Sequence, residues 1–249
     1  MSKKIMVVTG GSRGIGAATA CLAGERGYDV CVNYFRNQNA AQKIVREIEK
    51  GGNRAIAIAA DISMEADVIS LFNTVDEQLG TVTALVNNAG ILERQMRVEH
   101  IDADRLHRIF TTNIVGSFLC AREAVKRMSI QNKGTGGAIV NVSSAASRIG
   151  SPGEYVDYAA SKGAIDTLTI GLAKEVASLG IRVNAVRPGF IDTEIHSSGG
   201  EPNRVQNIAT SIPMKRGGQA TEVAKAIIWL LSSEASYTTG SFIDVAGGR

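Results

Sequence analysis

With 249 residues, of which 44% are hydrophobic and 20% charged, the chain has the composition of a soluble globular protein with a large core, and its low aromatic content of 5% suits aliphatic strands under alanine-rich helices. The formal charge of +3 is small, and Lys and Arg alternate with acids instead of forming runs, which argues against nucleic acid as a main partner. Cys21, Cys31 and Cys120 are widely spaced, with no Cys-x-x-Cys pair, so they read as buried reduced thiols and no metal site is expected. No apolar run approaches the roughly 18 residues of a membrane span. Met1-Ser2-Lys3-Lys4 leads straight into a strand and leaves no room for a signal peptide, so the expectation is a cytoplasmic protein without a membrane partner.

In chain order, an apolar strand over 5–8 enters Thr9-Gly10-Gly11-Ser12-Arg13-Gly14-Ile15-Gly16, and a helix follows to about residue 26, stopped by Gly27. A second strand covers 29–34. Helical periodicity runs from 37 to 50 and ends at Gly51-Gly52, a third strand covers 55–59, and Ser63 is the expected N-cap of a helix over 64–79. A fourth strand over 84–86 runs into Asn87-Asn88-Ala89-Gly90. Then come a long helix over about 102–128, a strand over 138–142, a second long helix over about 157–179 and a strand over 181–186. A Gly/Ser/Pro-rich stretch over about 188–218, a helix over 221–231 and a last strand over 241–245 complete the chain. Strands alternating with helices imply right-handed crossovers and a parallel sheet covered on both faces. The fold expected is α/β: a single Rossmann-type, doubly wound parallel sheet of about seven strands in one dinucleotide-binding and catalytic domain spanning 1–249.

In such sheets ligands bind beyond the carboxyl ends of the strands. The motifs cluster there: Thr9-Gly10, Asn33-Tyr34, Asp61-Ile62, Asn87-Asn88-Ala89-Gly90, Ser143-Ser144 and Pro188-Gly189 each follow a strand. Gly10, Gly14 and Gly16, spaced G-x-x-x-G-x-G, permit a sharp turn into a helix whose first amides lack partners, which is a site for a pyrophosphate. An inert turn explains one such strand end. A bound dinucleotide explains all six.

Tyr158 and Lys162 are four apart in a helix and therefore share a face. An ammonium beside a phenol favours the phenolate and brings a pKa near 10 toward the neutral range. Tyr158 is then usable as a general acid or base toward a carbonyl or alcohol oxygen, which Ser144 can hold by a hydrogen bond.

Thr9-Gly10-x-x-x-Gly14-x-Gly16, Asn87-Asn88-Ala89-Gly90, Asn113, Ser143-Ser144, Tyr158-x-x-x-Lys162 and Pro188-Gly189, in this order across the whole chain, resemble the short-chain dehydrogenase/reductase family. Segments such as Gly150–Tyr158 and Gly240–Asp244 are further similar to a bacterial branch of glucose-dehydrogenase-like and uncharacterised oxidoreductases. The resemblance implies Tyr158 as acid/base and Lys162 as the lysine that lowers its pKa and bonds the nicotinamide ribose. It implies Ser144 as the substrate-orienting serine, and Asn113 as the asparagine whose backbone carbonyl holds a relay water. Tyr155, which has Ala159 and no lysine four residues on, is expected to pack or to form a substrate-pocket wall. Coenzyme contacts are implied for Gly10, Ser12, Arg13, Gly14, Ile15 and Gly16 in the glycine turn, Asp61 and Ile62 at the adenine, and Asn88, Ala89 and Gly90 at the adenosine ribose. Tyr158 and Lys162 belong to the same set, and Pro188, Gly189, Ile191 and Thr193 fall on the carboxamide side.

Members that use NAD carry an acid at the end of the second strand for the ribose 2′-hydroxyl. Here that position is Tyr34, flanked by Asn33 and Phe35, while Arg13 and Arg36 are available to a 2′-phosphate, so NADP(H) is expected. The expected activity is interconversion of a carbonyl and a secondary alcohol of a small molecule by hydride transfer. A catalytically idle dinucleotide sensor on the same fold is the alternative, and it would normally carry a broken Ser, Tyr or Lys. A substrate lid is expected over about 190–216, with His196, Ser197, Ser198 and Glu201 as its polar contacts. The family resemblance implies a homotetramer paired through the two long helices and through the last helix and strand.

Overall fold

The computed structural model describes residues 4–249; the start at Met1-Ser2-Lys3, with the reading that no signal peptide precedes the first strand, lies outside the described residues. A seven-stranded parallel sheet in the order β3-β2-β1-β4-β5-β6-β9 forms the centre. Its strands are β1 (Lys4–Val8), β2 (Tyr28–Tyr34), β3 (Ala55–Ala59), β4 (Ala84–Asn87), β5 (Gly137–Val142), β6 (Ile181–Pro188) and β9 (Phe242–Val245), all within a residue or two of expectation. Alternate residues feed two cores because successive side chains of a strand point to opposite faces. Met6 and Val8 pack with Ala20 and Ala23 of α1 (Gly14–Glu25), Val45 and Ile48 of α2 (Gln38–Lys50), and Val223 and Ile227 of α10 (Ala220–Leu231). Ile5 and Val7 pack on the other face with Leu71 and Phe72 of α3 (Glu65–Gln78), Cys120 and Ala124 of α5 (Gly116–Met128), and Ala173 of α7 (Val156–Val176). Winding runs outward in both directions from the β1–β4 pair, which is the switch point where the carboxyl ends part and a crevice opens.

Three local expectations are revised. The helix expected from residue 64 begins at Glu65, and Ser63 does not cap it: its hydroxyl donates to Asp61 Oδ1 at 2.7 Å, and the cap position is Met64. Asp61, a better acceptor than a hydroxyl, outcompetes Ser63 by also taking the Ser63 amide at 2.9 Å, which makes a turn of its own. The helix over 102–128 is divided into α4 (Ala103–Phe110), a π-helical turn (Thr111–Val115) and α5, with Asn113 inside the turn. The Gly/Ser/Pro-rich stretch is not plain loop. It holds β7 (Ile191–Asp192) paired with β8 (Gly218–Gln219), and the short helices α8 (Ile195–Ser198) and α9 (Arg204–Ile208).

A chain of buried amides ties the layers beneath the crevice. Asn87 Nδ2 donates to Asn141 Oδ1 at 3.0 Å and to the Ser117 carbonyl at 3.1 Å, and Asn141 Nδ2 donates to Thr169 Oγ1 at 2.9 Å. β4 and β5 are thereby locked to α5 and α7, at sites where an unpaired polar group has no water to replace its partner. Asn141→Ala leaves Asn87 and Thr169 without these partners and is expected to lower unfolding free energy by about 2–4 kcal/mol, read from a urea titration monitored by circular dichroism.

Candidate active site

A cleft of about 1750 Å³ runs along the carboxyl ends of the strands and gathers the residues singled out in the sequence. Gly10, Ser12, Arg13, Gly14 and Ile15 line it, as do Tyr34, Arg36, Asp61, Ile62, Asn88, Ala89 and Gly90. Ser144, Tyr158, Lys162, Pro188, Gly189, Ile191 and Thr193 line the rest. Two expected site residues, Gly16 and Asn113, support the walls from behind.

The glycine turn is built by close approach. Gly10 and Gly14 adopt φ of 60° and 54°, which a side chain disfavours. A Cβ on Gly16 would lie 2.3 Å from the Gly10 carbonyl and 2.5 Å from Asn88 Nδ2, so only glycine lets α1 start this near the strand ends. α1 has no side-chain N-cap hydrogen bond and no acid in its first turn, so its amides and the positive end of its dipole face the cleft. Asn88 is a brace: its Nδ2 donates to the Thr9 and Gly10 carbonyls at 2.9 and 3.1 Å, while Thr9 Oγ1 accepts from the Asn88 and Ala89 amides.

At the end of β2, Asn33 Oδ1 accepts from the Gly10 amide and Asn33 Nδ2 donates to the Ala60 carbonyl, holding three strand ends together. Tyr34 is mostly buried beside α2, and beyond it Phe35 and Arg36 are exposed, with the guanidinium 4.8 Å from the Phe35 ring centre. Arg13 is exposed on the same side, and neither arginine has an ion pair among the described residues. No carboxylate stands at the end of β2.

At the opposite end, Ser144, Tyr158 and Lys162 meet. Lys162 Nζ donates to the Val142 carbonyl at 2.7 Å and lies 5.6 Å from the centre of the Tyr158 ring. A Cβ on Gly90 would fall 3.6 Å from that Nζ and 3.3 Å from Asn113 Oδ1, so the glycine opens the space in front of the ammonium. Asn113 Oδ1 accepts from the Ile91 amide and its Nδ2 donates to Ser161 Oγ at 3.1 Å, joining the π turn to α7. The Asn113 carbonyl accepts from Ser117 Oγ at 3.0 Å.

Electrostatics around the phenol depart from the simple expectation. Burial pushes Tyr158 up to about 12, with a hydrogen bond to Ser144 opposing it, and Lys162 is not what governs the shift. The reason is that the ammonium pays the same desolvation: burial brings Lys162 down to about 8, with Asp166 pulling it back up. In the free protein the pair is therefore a neutral phenol beside a readily released proton.

Residues of the segment over 190–216 line this end of the cleft. His196 lines the cleft as expected, buried, with Nε2 3.0 Å from the Ile191 carbonyl and its ring stacked on Phe190. Ser197, Ser198 and Glu201 do not line it. Ser197 and Ser198 are exposed and Glu201 half-buried, an orientation that sequence spacing alone could not give. Glu194, Arg204 and Arg249 line it instead, and the pairing of Arg204 with Glu154 at 2.5 Å gave no sequence signal because the partners are 50 residues apart. Tyr155 is both cleft wall and packed residue, under the Arg204 guanidinium. No cluster of metal-ligating side chains occurs among the described residues, nor is any helix among them long and apolar enough to cross a membrane. Cys31 and Cys120 are buried, Cys21 is partly so, and all are unpaired thiols.

A doubly wound parallel sheet with an uncapped glycine-rich helix start, and with tyrosine, lysine and serine around one end of the crevice, defines a dinucleotide-binding oxidoreductase. Residues 10–249 match the family model described as enoyl-(acyl carrier protein) reductase. The chain is 62% identical to "Uncharacterized oxidoreductase YgfF" of Escherichia coli K12, over 98% of this chain and 99% of that protein. It is 38% identical to the 3-oxoacyl-[acyl-carrier-protein] reductase FabG of Staphylococcus aureus, over 98% and 97% of the two chains, and 36% identical to glucose 1-dehydrogenase 2 of Bacillus subtilis, over 100% and 95%. The crystal structure of acetoin dehydrogenase YohF from Salmonella typhimurium superposes with a TM-score of 0.87 at 33% identity, covering 99% of this chain and 97% of that one. The chain belongs to the short-chain dehydrogenase/reductase family. It is an oxidoreductase that interconverts carbonyl and alcohol groups of small molecules with a nicotinamide dinucleotide.

Proposed function

We propose that the protein is an NADP(H)-dependent reductase or dehydrogenase of a carbonyl/secondary-alcohol pair in which Tyr158 exchanges the proton. The observation that carries this reading is the intact Ser144–Tyr158–Lys162 group at the floor of the cleft, which a mere dinucleotide sensor has no need to keep. Ser144 and Tyr158 hold the substrate oxygen from one side. Lys162 supplies cationic charge behind the ring, and the bound coenzyme contributes the hydride donor or acceptor together with further positive charge when oxidised. Asn113, through its backbone carbonyl, positions a water that renews the proton on Lys162. The coenzyme phosphates are held by the amides at the start of α1, with Gly10, Ser12, Arg13, Gly14, Ile15 and Gly16. Asp61 and Ile62 meet the adenine, Asn88, Ala89 and Gly90 line the adenosine ribose, and Pro188, Gly189, Ile191 and Thr193 meet the carboxamide.

The NADP preference is supported by the absence of an acid at the end of β2 in the sequence and by Arg13 and Arg36, which have no ion pair among the described residues, at that end of the cleft. The chain is further proposed to act as one domain over 1–249, to close the segment over 190–216 on the substrate, and to assemble as a homotetramer. Exposed Val115 in the π turn, Phe118 on α5, and Val156 and Ile170 on α7 support pairing through the long helices.

Three outcomes test the reading. Tyr158→Phe keeps the ring and loses the hydroxyl, so turnover should fall on the order of 10²- to 10⁴-fold in a nicotinamide absorbance assay while coenzyme affinity stays nearly constant; undiminished turnover rules out the proton role. Carbonyl reduction needs the proton-bearing pair, which exists while Lys162 is charged and the phenol neutral. The folded value of about 8 for Lys162 is the lower of the two, so kcat/KM for reduction should be level below pH 8 and decline as pH rises past it, in a pH–rate profile. The double variant Arg13→Ala/Arg36→Ala should raise KM for NADPH roughly tenfold or more and leave KM for NADH within about twofold, since only the 2′-phosphate is lost as a partner.

A further inference from the structure

Outside the reacting groups, the most completely buried ion pair among the described residues sits one residue from Tyr158. Arg105 and Asp157 have side chains only 4% and 1% exposed, and they join in a two-pronged contact, Nε to Oδ2 at 2.6 Å and Nη2 to Oδ1 at 3.3 Å. Each partner also grips backbone. Asp157 Oδ1 accepts from the Tyr158 amide at 2.9 Å, in the first turn of α7, whose cap residue Tyr155 offers no side-chain hydrogen bond. Arg105 Nη1 donates to the Arg94 carbonyl at 2.7 Å, in the segment that leaves β4 and whose Ile91 and Leu92 line the cleft. Arg105 is itself fixed at the start of α4, where Asp102 Oδ1 accepts from its amide at 2.7 Å.

We propose that Arg105 and Asp157 are positioning residues for Tyr158, setting the first turn of α7 and thus the phenol against the substrate wall built from the segment after β4. The inference rests on the assignment of Tyr158 as acid/base. A buried ion pair is a poor source of net stability, because desolvation of both charges offsets their attraction and apolar side chains of like volume hold such places as well or better. What an apolar pair lacks is direction. The guanidinium fork fixes the carboxylate in plane and in register, the carboxylate fixes the Tyr158 amide, and the remaining guanidinium nitrogen fixes the opposite wall. The pair is neutral overall, so its influence on the phenol is placement and not field. Asn113 braces the same three segments one layer deeper, through Ile91 and Ser161, so the two straps together resist both sliding and rotation of α7 at its start.

The test separates placement from folding. Arg105→Met alone strands a buried carboxylate and should lower both thermal stability and kcat. Arg105→Met/Asp157→Leu removes both charges, and it should recover the melting temperature while kcat stays reduced by roughly tenfold to 10²-fold, the scale of a misplacement near 1 Å, with KM and coenzyme affinity within about threefold of the parent. Arg105→Lys, which keeps the charge and loses the fork, should fall between. A double variant with parental kcat overturns the inference, since the pair is then structural. If the double variant does not fold, Arg105→Lys and Asp157→Asn decide: lowered kcat at constant KM supports placement, and parental kcat in both overturns it. Tyr158→Phe, measured alongside, keeps the two readings apart, because an active Tyr158→Phe sinks the acid/base assignment whatever Arg105 does. An inactive one beside a fully active double variant sinks only the positioning role.

Discussion

Where the sheet changes winding direction, two neighbouring parallel strands send their chains away on opposite faces, and the backbone groups at their ends would be left bare. Closing that gap without filling it is the constraint on which the rest of this structure depends. Thr9 and Asn88 meet it across the β1–β4 boundary: one hydroxyl accepts two amides from the far strand, and one carboxamide donates to two carbonyls of the near one. Asn33 repeats the device between β2, β3 and the glycine turn. The side-chain polar atoms of Thr9, Asn33 and Asn88 are thereby turned to hold strand ends. The amides that remain free are those of α1, aimed at the place where an anion belongs.

The same frame imposes a cost at the other end. Lys162 sits at the carboxyl end of β5, where its ammonium has the Val142 carbonyl within 2.7 Å and a value of about 8 against an ordinary 10.5. Between those two pH values the unfolded chain holds a proton that the native chain has released, so folding is opposed at that site as pH falls from about 10.5 to about 8. Tyr158 behaves in the opposite sense: raised from 10 to about 12, it keeps its proton on folding and contributes stability that is lost only as pH rises through that range. The folded protein therefore tolerates an uncomfortable cation and a comfortable phenol side by side. An added positive charge or an anionic oxygen at the hydroxyl changes the balance of both, which is how such a pair becomes responsive to what binds.

Strands, helices and the convergence of strand ends were legible because each rests on a local rule: apolar runs of four to eight residues, glycine after a helix, a polar pair after a strand. Gly27, with φ of 81°, stops α1 where a glycine must, and Asn37 caps α2 by accepting from the Ala40 amide. Ser63 was misread because two acceptors competed for the same turn, and a carboxylate beats a hydroxyl. The π turn left no trace in the sequence, since its cause is tertiary: Asn113 must reach Ile91 and Ser161 at once, and a regular helix would carry it past them. The downward pull of Lys162 on the phenol was overestimated from spacing alone. Four residues along a helix says that two groups are close, and says nothing of how dry their surroundings are.

Long-range pairs were the other blind spot, and one of them stands at the Tyr158 end of the cleft. Arg204 pairs with Glu154 and lies over the rings of Tyr155 and Phe190, so α9 of the covering segment is fastened to the turn that leads into α7. Gly199 and Gly200 precede this contact and Gly217 and Gly218 follow it. A Cβ on Gly217 would run into Val205 at 2.2 Å, so that junction is packed and the fastening is firm at its rear. The end of the cleft at the glycine turn is thus made of backbone held by short side chains, and the opposite end of long side chains held by each other. Backbone geometry suits a ligand that never changes. Arginine, glutamate and aromatic rings can exchange partners, so the segment over 190–216 is the part of the cleft wall able to adapt to different occupants, while Tyr158 and Lys162 are held apart from it on α7.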